Sequence, residues 1–399
     1  MSRTVTLVLL NLNGELLGAL TPFEVDLPWW QEASDVVQAF QERHGLAVDV
    51  LRLLESERPR PHGGAVTYLA QTRTPVDLQL NPVDPGIVTL IDRDEPLRAP
   101  YARPGGPADS LAWAAEIVGP VTAVQLRTWN LSTIWRLEAE RGTCWLKQLP
   151  VWLRREPAAL QWLGEVVPDL APRVIAVGEN GRELLADVPG IDHYAADLKT
   201  RLLIVEQAHR FQIAALTATD RLLADGVPDR RGPALTAWIR ASLTGWTDSS
   251  PAQELLASLD ERMTAVADCG LPDTLAHGDA NPGNARGDGD RVVFLDWSEC
   301  YLGHPGFDVL GLADGLPDRE TGSVLEAWAA GWRQQVPGCD PARALGLLRP
   351  VSALRAAAVY AEFVANIEPT EHPYHAFDVP DMLEAAGAAA QAATASDFF

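Results

Sequence analysis

Three side chains define the chemistry open to this sequence. Asp279 and Asn284 stand five residues apart on a loop stiffened by Pro282 and Gly283. Asp296 ends an apolar strand one hairpin later, past a turn at Gly287-Asp288-Gly289. Two loop ends thus converge three oxygen donors. Hard oxygens suit Mg2+, which takes one or two carboxylates and leaves its other positions to substrate phosphates. Phosphoryl transfer needs that metal, an acid beside the attacking hydroxyl and a cation on the nucleotide phosphates. The chain has only two lysines, Lys147 and Lys199, among 32 basic residues. A compact ammonium and a planar guanidinium are not interchangeable, so Lys147, inside a strand-like run, is the residue expected to supply the cation.

The elements that must position these groups follow from pattern. Residues 1–76 read as a small α/β unit. It has a hairpin at Asn13-Gly14, a helix with Val36, Val37 and Phe40 on one face and Gly45 as its stop, then strands at VDVLRLLE and GAVTYLAQ. Residues 75–107, rich in Pro and Gly, read as a linker or a peripheral strand followed by a linker. From 108 a helix, three strands (the third holding Lys147), the helix REPAALQWLGEVV and two further strands are expected. After 191 the chain reads as mainly helical, except for a loop region at 274–312 with one clear strand, RVVFLDW. The Ala-rich tail, Ala385 to Ala395, reads as a frayed helix.

The run His277-Gly278-Asp279-Ala-Asn-Pro-Gly-Asn284, the pair Asp296-Trp297 and the run Gly303-His-Pro305-Gly-Phe-Asp308 together resemble the aminoglycoside phosphotransferase family over about 108–399. The resemblance implies an α+β, bilobal, protein-kinase-like fold, with segments 106–190 and 191–399 as its two lobes after an N-terminal domain and linker at 1–105. It implies Asp279 as the catalytic acid facing a substrate hydroxyl, Asn284 and Asp296 as Mg2+ ligands, and Lys147 on the phosphates of ATP, with GTP an alternative donor. The hinge from Leu185 to Val188, including Ala186, would meet the adenine through its backbone. The tract Asn130-Leu-Ser132-Thr133 would cover the phosphates. Where the family commonly has His, this chain has Asn281. No G-x-G-x-x-G lies over the phosphates, so an ordinary protein kinase is not implied.

The partner of Lys147 follows from helix geometry. Glu156 and Glu165 are nine residues apart, on opposite faces of one helix. Leu160, Leu163 and Val167 share the Glu156 face, so Glu156 is the inward carboxylate. In the first unit, Gln38 to Leu46 (QAFQERHGL) followed by VDVL resembles the Nudix hydrolase box, R-E-U-x-E-E-x-G-U. Only Glu42 remains of its glutamates, and Ala39 and Arg43 stand in box positions, so the resemblance implies a domain that keeps the fold without the chemistry.

Composition sets the exclusions. With 54 acidic residues and a net charge of −22, the surface repels phosphate backbones, so nucleic acid is not an expected partner. No apolar run is long enough to span a membrane and no leader is evident, so a cytoplasmic protein is expected. Four scattered cysteines fit neither a zinc ribbon nor a disulfide framework. The expected acceptor is a small hydroxylated molecule. Its expected cationic character rests on the net charge and on Glu362, Glu368, Glu371, Asp378, Asp381 and Glu384, which read either as an amine pocket or as a solvated face. His277 and Asp308 read as loop supports, Trp29-Trp30 as packing or an inter-domain contact, and Phe398-Phe399 as a tail. Two rivals stand beside the kinase reading: a nucleotide-binding pseudokinase, and a pyrophosphohydrolase run by the first domain.

Overall fold

The computed structural model describes residues 2–58, 60, 62–247 and 250–396. They form two compact units. One comprises Met1–Arg154, Ile175–Asp187 and Phe363–Phe377; the other comprises Arg155–Val174, Val188–Glu362 and Asp378–Phe399. These seams differ from the segment boundaries expected at 105 and 190.

The first unit carries two sheets. β1 (Arg3–Leu10), β2 (Leu16–Ala19), β3 (Phe23–Val25), β4 (Val48–Ser56) and β5 (Gly64–Thr72) form a mixed sheet in the order β2-β1-β5-β4, with β3 also on β1. Successive strand residues point to opposite faces. Val5, Leu7 and Leu9 accordingly pack with Val36 and Phe40 of helix α1 (Ser34–His44), while Val8 and Leu10 pack with Ile87, Leu90 and Ile91 of α2 (Pro85–Asp92). A strand buried on both faces must be largely apolar, which explains the run Leu7 to Leu10, LVLL. Helix α2 corrects the reading of 75–107 as linker. Asp84 caps it through the Gly86 N–H, Pro85 opens it, and its apolar face covers the sheet.

The second sheet is β6 (Val121–Trp129), β7 (Ser132–Ala139), β8 (Gly142–Gln148), β10 (Arg182–Ala186) and β9 (Val174–Val177), in that spatial order. Trp135, Leu137, Cys144, Leu146 and Leu184 form its core with Ala114 and Leu111 of α3 (Gly106–Val118). The two sheets are stitched together. The Gln125 amide of β6 exchanges both hydrogen bonds with the Val50 backbone of β4, at 2.9 and 2.8 Å, and Arg127 pairs with Glu32 at 2.7 Å. The segment Phe363–Phe377 also belongs here. Glu368 binds Arg98 at 2.9 Å and Glu371 accepts the Leu53 N–H at 3.3 Å. Both glutamates are buried, so two of the six late acids line neither an amine pocket nor a solvated face. Trp30 is buried and donates to the Gly63 carbonyl, whereas Trp29 is exposed.

The second unit is mostly helical: α4 (Glu156–Val166), α5 (Leu198–Ala215), α6 (Thr219–Ala224), α7 (Gly232–Ser242), α8 (Ser250–Ala257), α9 (Leu259–Ala267), α10 (Gly306–Ala313), α11 (Asp318–Gln335), most of α12 (Pro341–Asn366) and α13 (Asp378–Ser396). Short strand pairs sit among them: β11 (Ile191–Asp192) with β13 (Ala285–Gly287) and β14 (Val293–Phe294), and β12 (Thr274–Ala276) with β15 (Tyr301–Gly303). The expected strand RVVFLDW shrinks to Val293–Phe294, because Asp296 turns left-handed at φ 59°. The expected Ala-rich helix is the C-terminal half of α13, which the buried Val379 and Leu383 anchor ahead of it and where Ala386 is buried in the main core while Gln391 and Ala392 are exposed. Phe398-Phe399 lies outside the described residues. Among the described residues no helix is long and apolar enough to cross a membrane.

Candidate active site

The second unit brings Asp279, Asn284, Asp296 and Glu156 together. Asp279 follows β12 on a loop fixed by its backbone. Asp308, in the first turn of α10, accepts the N–H groups of His277 and Gly278 at 2.9 and 3.2 Å, and Gln212 donates to the same carboxylate at 3.0 Å. The Gly278 carbonyl accepts from Arg355 Nη2 at 2.6 Å. Gly278 has φ +90°, and a Cβ there would lie 2.1 Å from the Glu299 carbonyl oxygen, so only glycine fits. His277 is buried, its ring 4.6 Å from that of Trp297 and its Nε2 2.9 Å from the Leu295 carbonyl. These contacts hold the loop.

The Asp279 carboxylate is solvent-accessible and doubly held. Asn281 Nδ2 donates to Oδ1 at 3.1 Å and Asn284 Nδ2 to Oδ2 at 2.7 Å. Asn281 therefore joins the site although it departs from the family residue. Dense surroundings push the Asp279 acid upward; His277 opposes this, Asp296 adds to it, and the two amides oppose it. Asn284 spends its amide nitrogen on Asp279, which leaves its oxygen as a donor to a cation. Asp296 accepts from the Ser298 hydroxyl at 2.7 Å, and the Leu295 N–H binds the Asn284 carbonyl at 2.8 Å, tying the two loops together. One amide and one carboxylate oxygen pointing from tied loops suit a Mg2+ that takes its remaining ligands from phosphate. Among the described residues no group of three or more His, Cys, Asp or Glu forms a metal cage.

Glu156 opens α4 fully buried, and its Oε1 accepts the Trp297 N–H at 3.0 Å. Glu165 is exposed and paired with Arg221 at 2.7 Å. Val188 also lies in this unit; its carbonyl accepts from Arg286 at 2.7 Å.

Lys147, Asn130, Ser132, Thr133 and Ala186 lie in the first unit. Lys147 is buried on β8, opposite the face on which Cys144 and Leu146 enter the core. Its register partners are Ile134 on β7 and Glu183 on β10. Ala186 ends β10, paired with Cys144. Asn130 and Leu131 form a two-residue turn between β6 and β7. Thr133 donates its hydroxyl to the Arg127 carbonyl, Ser132 accepts from Trp129 Nε1 at 3.2 Å, and Asn130 accepts from His375 at 3.1 Å. The turn thus engages Thr133, Ser132 and the Asn130 oxygen, while the buried Asn130 Nδ2 has no hydrogen-bond partner among the described residues.

Several charged residues escaped the sequence reading, Arg155 before α4 among them. Glu183 faces Lys147 across the strand pair, and period-two register could have found it. Glu299 is pushed well up by burial and then by Asp279. Arg355 comes from α12 and Arg230 from the loop before α7, and neither left a local signal.

The sequence profile of the phosphotransferase enzyme family matches residues 105–345. No curated protein matches the sequence. Several solved structures share the fold. Choline kinase LicA from Streptococcus pneumoniae aligns with TM-score 0.54 and 12% identity, over 70% of this chain and 99% of its own. An ethanolamine kinase of Plasmodium vivax aligns with TM-score 0.51 and 11% identity, over 70% and 86%. A type I macrolide 2'-phosphotransferase gives 0.50 and 15%, over 72% and 97%. The fold is α+β and protein-kinase-like.

Proposed function

This chain belongs to the phosphotransferase enzyme family, and we propose that it moves the γ-phosphoryl group of ATP, in the presence of Mg2+, to a hydroxyl of a small molecule. The observation that carries the reading is the Asp279 carboxylate, fixed by Asn281 and Asn284, with Asp296 on the adjoining loop.

In this reading the acceptor oxygen attacks the γ-phosphorus as the bond to the bridging oxygen breaks and ADP leaves. Asp279 orients the hydroxyl and takes its proton late, and an acid held above its ordinary range is better matched to that task. Asn284 and Asp296 would hold Mg2+, which when bound neutralises phosphate charge. Lys147 would bind phosphate oxygens, the N–H groups of the turn at Asn130 would cover them, and Ala186 and Val188 would line the adenine through their backbone. Glu156 fixes the backbone next to Asp296.

We read the N-terminal module as non-catalytic. Glu42 is spent on Gln38 at 2.8 Å on the exposed face of α1, and Arg43 lies over the Phe23 ring. Its sheet braces β6 instead. A screen of hydroxylated metabolites and aminoglycosides for ATP consumption tests the whole reading. Nucleotide binding without turnover of any acceptor would favour a pseudokinase, and AMP or pyrophosphate release would favour hydrolysis by the first module.

A further inference from the structure

Two arginines in the second unit flank one carboxylate, that of Glu362, without hydrogen-bonding it. Arg155 Nη2 lies 3.7 Å from Glu362, and Arg230 Nη2 lies 3.9 Å from its other oxygen. Both distances exceed hydrogen-bond length. Among the described residues neither guanidinium makes a hydrogen bond, although each carries five N–H donors. Their side chains are only 14% and 18% exposed, so they are mostly enclosed yet reachable. The Arg230 guanidinium lies 4.2 Å above the Trp238 ring, which fixes its plane and leaves its edge available.

The pair adjoins the catalytic loop. Arg355 holds the Gly278 carbonyl next to Asp279, and its buried Nε has no partner. The Glu299 carboxyl feels Asp279, Arg355, Asp296 and Arg155 in turn. Burial, with Arg155 and Arg355 nearby, lowers Arg230 to about 10 despite Glu362. Crowded guanidiniums with unspent donors are costly to keep unless something uses them. A planar fork matches an oxyanion two bonds at a time.

We propose that Arg155 and Arg230 receive an anionic group, carboxylate or phosphate, carried by the acceptor, so that the acceptor is a hydroxy acid or a phosphorylated alcohol rather than an amine. The proposal rests on Asp279 facing the acceptor. It stands against the expected cationic acceptor, two of whose six supporting acids, Glu368 and Glu371, are spent in the first unit.

The test uses the full chain saturated with Mg2+ and AMP-PNP, titrated by calorimetry with gluconate, glycerol 3-phosphate and choline. Gluconate or glycerol 3-phosphate should bind and choline should not. Arg155→Leu and Arg230→Leu should each weaken the anion at least tenfold and leave AMP-PNP affinity within twofold. Arg230→Lys, which keeps the charge, should recover part of the loss and shows that the effect is not misfolding. Binding of neither anion, equal binding by both Leu variants, or preferential binding of choline overturns the proposal. Anion binding that obeys these variants without ATP turnover for any acceptor removes the phosphotransferase reading and leaves the anion site. Turnover of a neutral or cationic acceptor with its KM unchanged in Arg230→Leu does the reverse.

Discussion

The carboxylate of Glu156 accepts the backbone N–H of Trp297 at 3.0 Å, so the first residue of α4 holds the residue that follows Asp296. Asp296 itself sits at φ 59°, a conformation a non-glycine residue keeps only when its neighbours enforce it. Glu156→Ala strands a buried N–H, at a cost of about 1–3 kcal/mol, and frees that backbone. Mg2+-dependent AMP-PNP affinity should fall roughly tenfold. Glu156→Gln keeps the acceptor oxygen and should lose less. Equal affinity in Glu156→Ala and wild type, measured by calorimetry, would remove the positioning role.

Gly278 is the least replaceable residue of the loop. Its added methyl would lie 2.1 Å from a backbone oxygen, which no rotamer change relieves. Gly278→Ala should cost about 2–4 kcal/mol and abolish turnover. Thermal melting beside an activity assay checks both; a variant melting like wild type would show that the loop has another conformation available.

The segment Phe363–Phe377 reaches the turn at Asn130 through His375, which donates to Asn130 at 3.1 Å while its ring lies 5.7 Å from that of Trp129. His375→Leu removes the donor and should raise the KM for ATP about three- to tenfold, or roughly 1 kcal/mol, with the acceptor KM unchanged. His375→Gln should recover part of it. A lower melting temperature with ATP KM unchanged would make the contact purely structural.

Legibility in the sequence tracked how local each signal was. Lys147 stood out because it is one of only two lysines, and the carboxylates of the 277–308 region because their spacing is fixed within single loops and strands. Val5, Leu7 and Leu9 were legible as strand, but α2 was hidden by the Pro and Gly of its flanks, which read as linker although Asp84 and Pro85 are a helix start. Glu368 and Glu371 read as surface or pocket acids because their counter-ions, Arg52 and Arg98, lie about 270 or more residues away in sequence. Arg155, Arg230 and Arg355 meet only through tertiary packing, and no periodicity links them.

Glu371 gives the fold a pH dependence. Burial first, then Glu368, raises it to about 8 from 4.5, with the Leu53 N–H, Arg52 and Arg98 pulling the other way. Between those values the folded chain holds a proton that the unfolded chain has lost, so stability falls as pH rises from about 4.5 to about 8. Glu371→Gln keeps the oxygen that accepts from Leu53 and cannot ionise. It should melt a few degrees above wild type at pH 8, the size expected for about 1 kcal/mol, and near wild type at pH 5. A variant equally destabilised at both pH values would show that the ionised glutamate supports the fold.

Asp279 is the centre of the account, and Asp279→Asn tests it most directly. The substitution keeps the side-chain shape and removes the charge and the basic oxygen. A positioned acid–base group is worth about 10²–10⁴ in rate, roughly 3–5 kcal/mol. The measurement is steady-state transfer to the acceptor found by the screen, beside AMP-PNP titration of the same protein and of Asp296→Ala. The account predicts kcat down by that range in Asp279→Asn with nucleotide affinity within about threefold, and weakened Mg2+-nucleotide binding in Asp296→Ala. Near-normal turnover in Asp279→Asn, or equal loss of nucleotide binding in both variants, would contradict it.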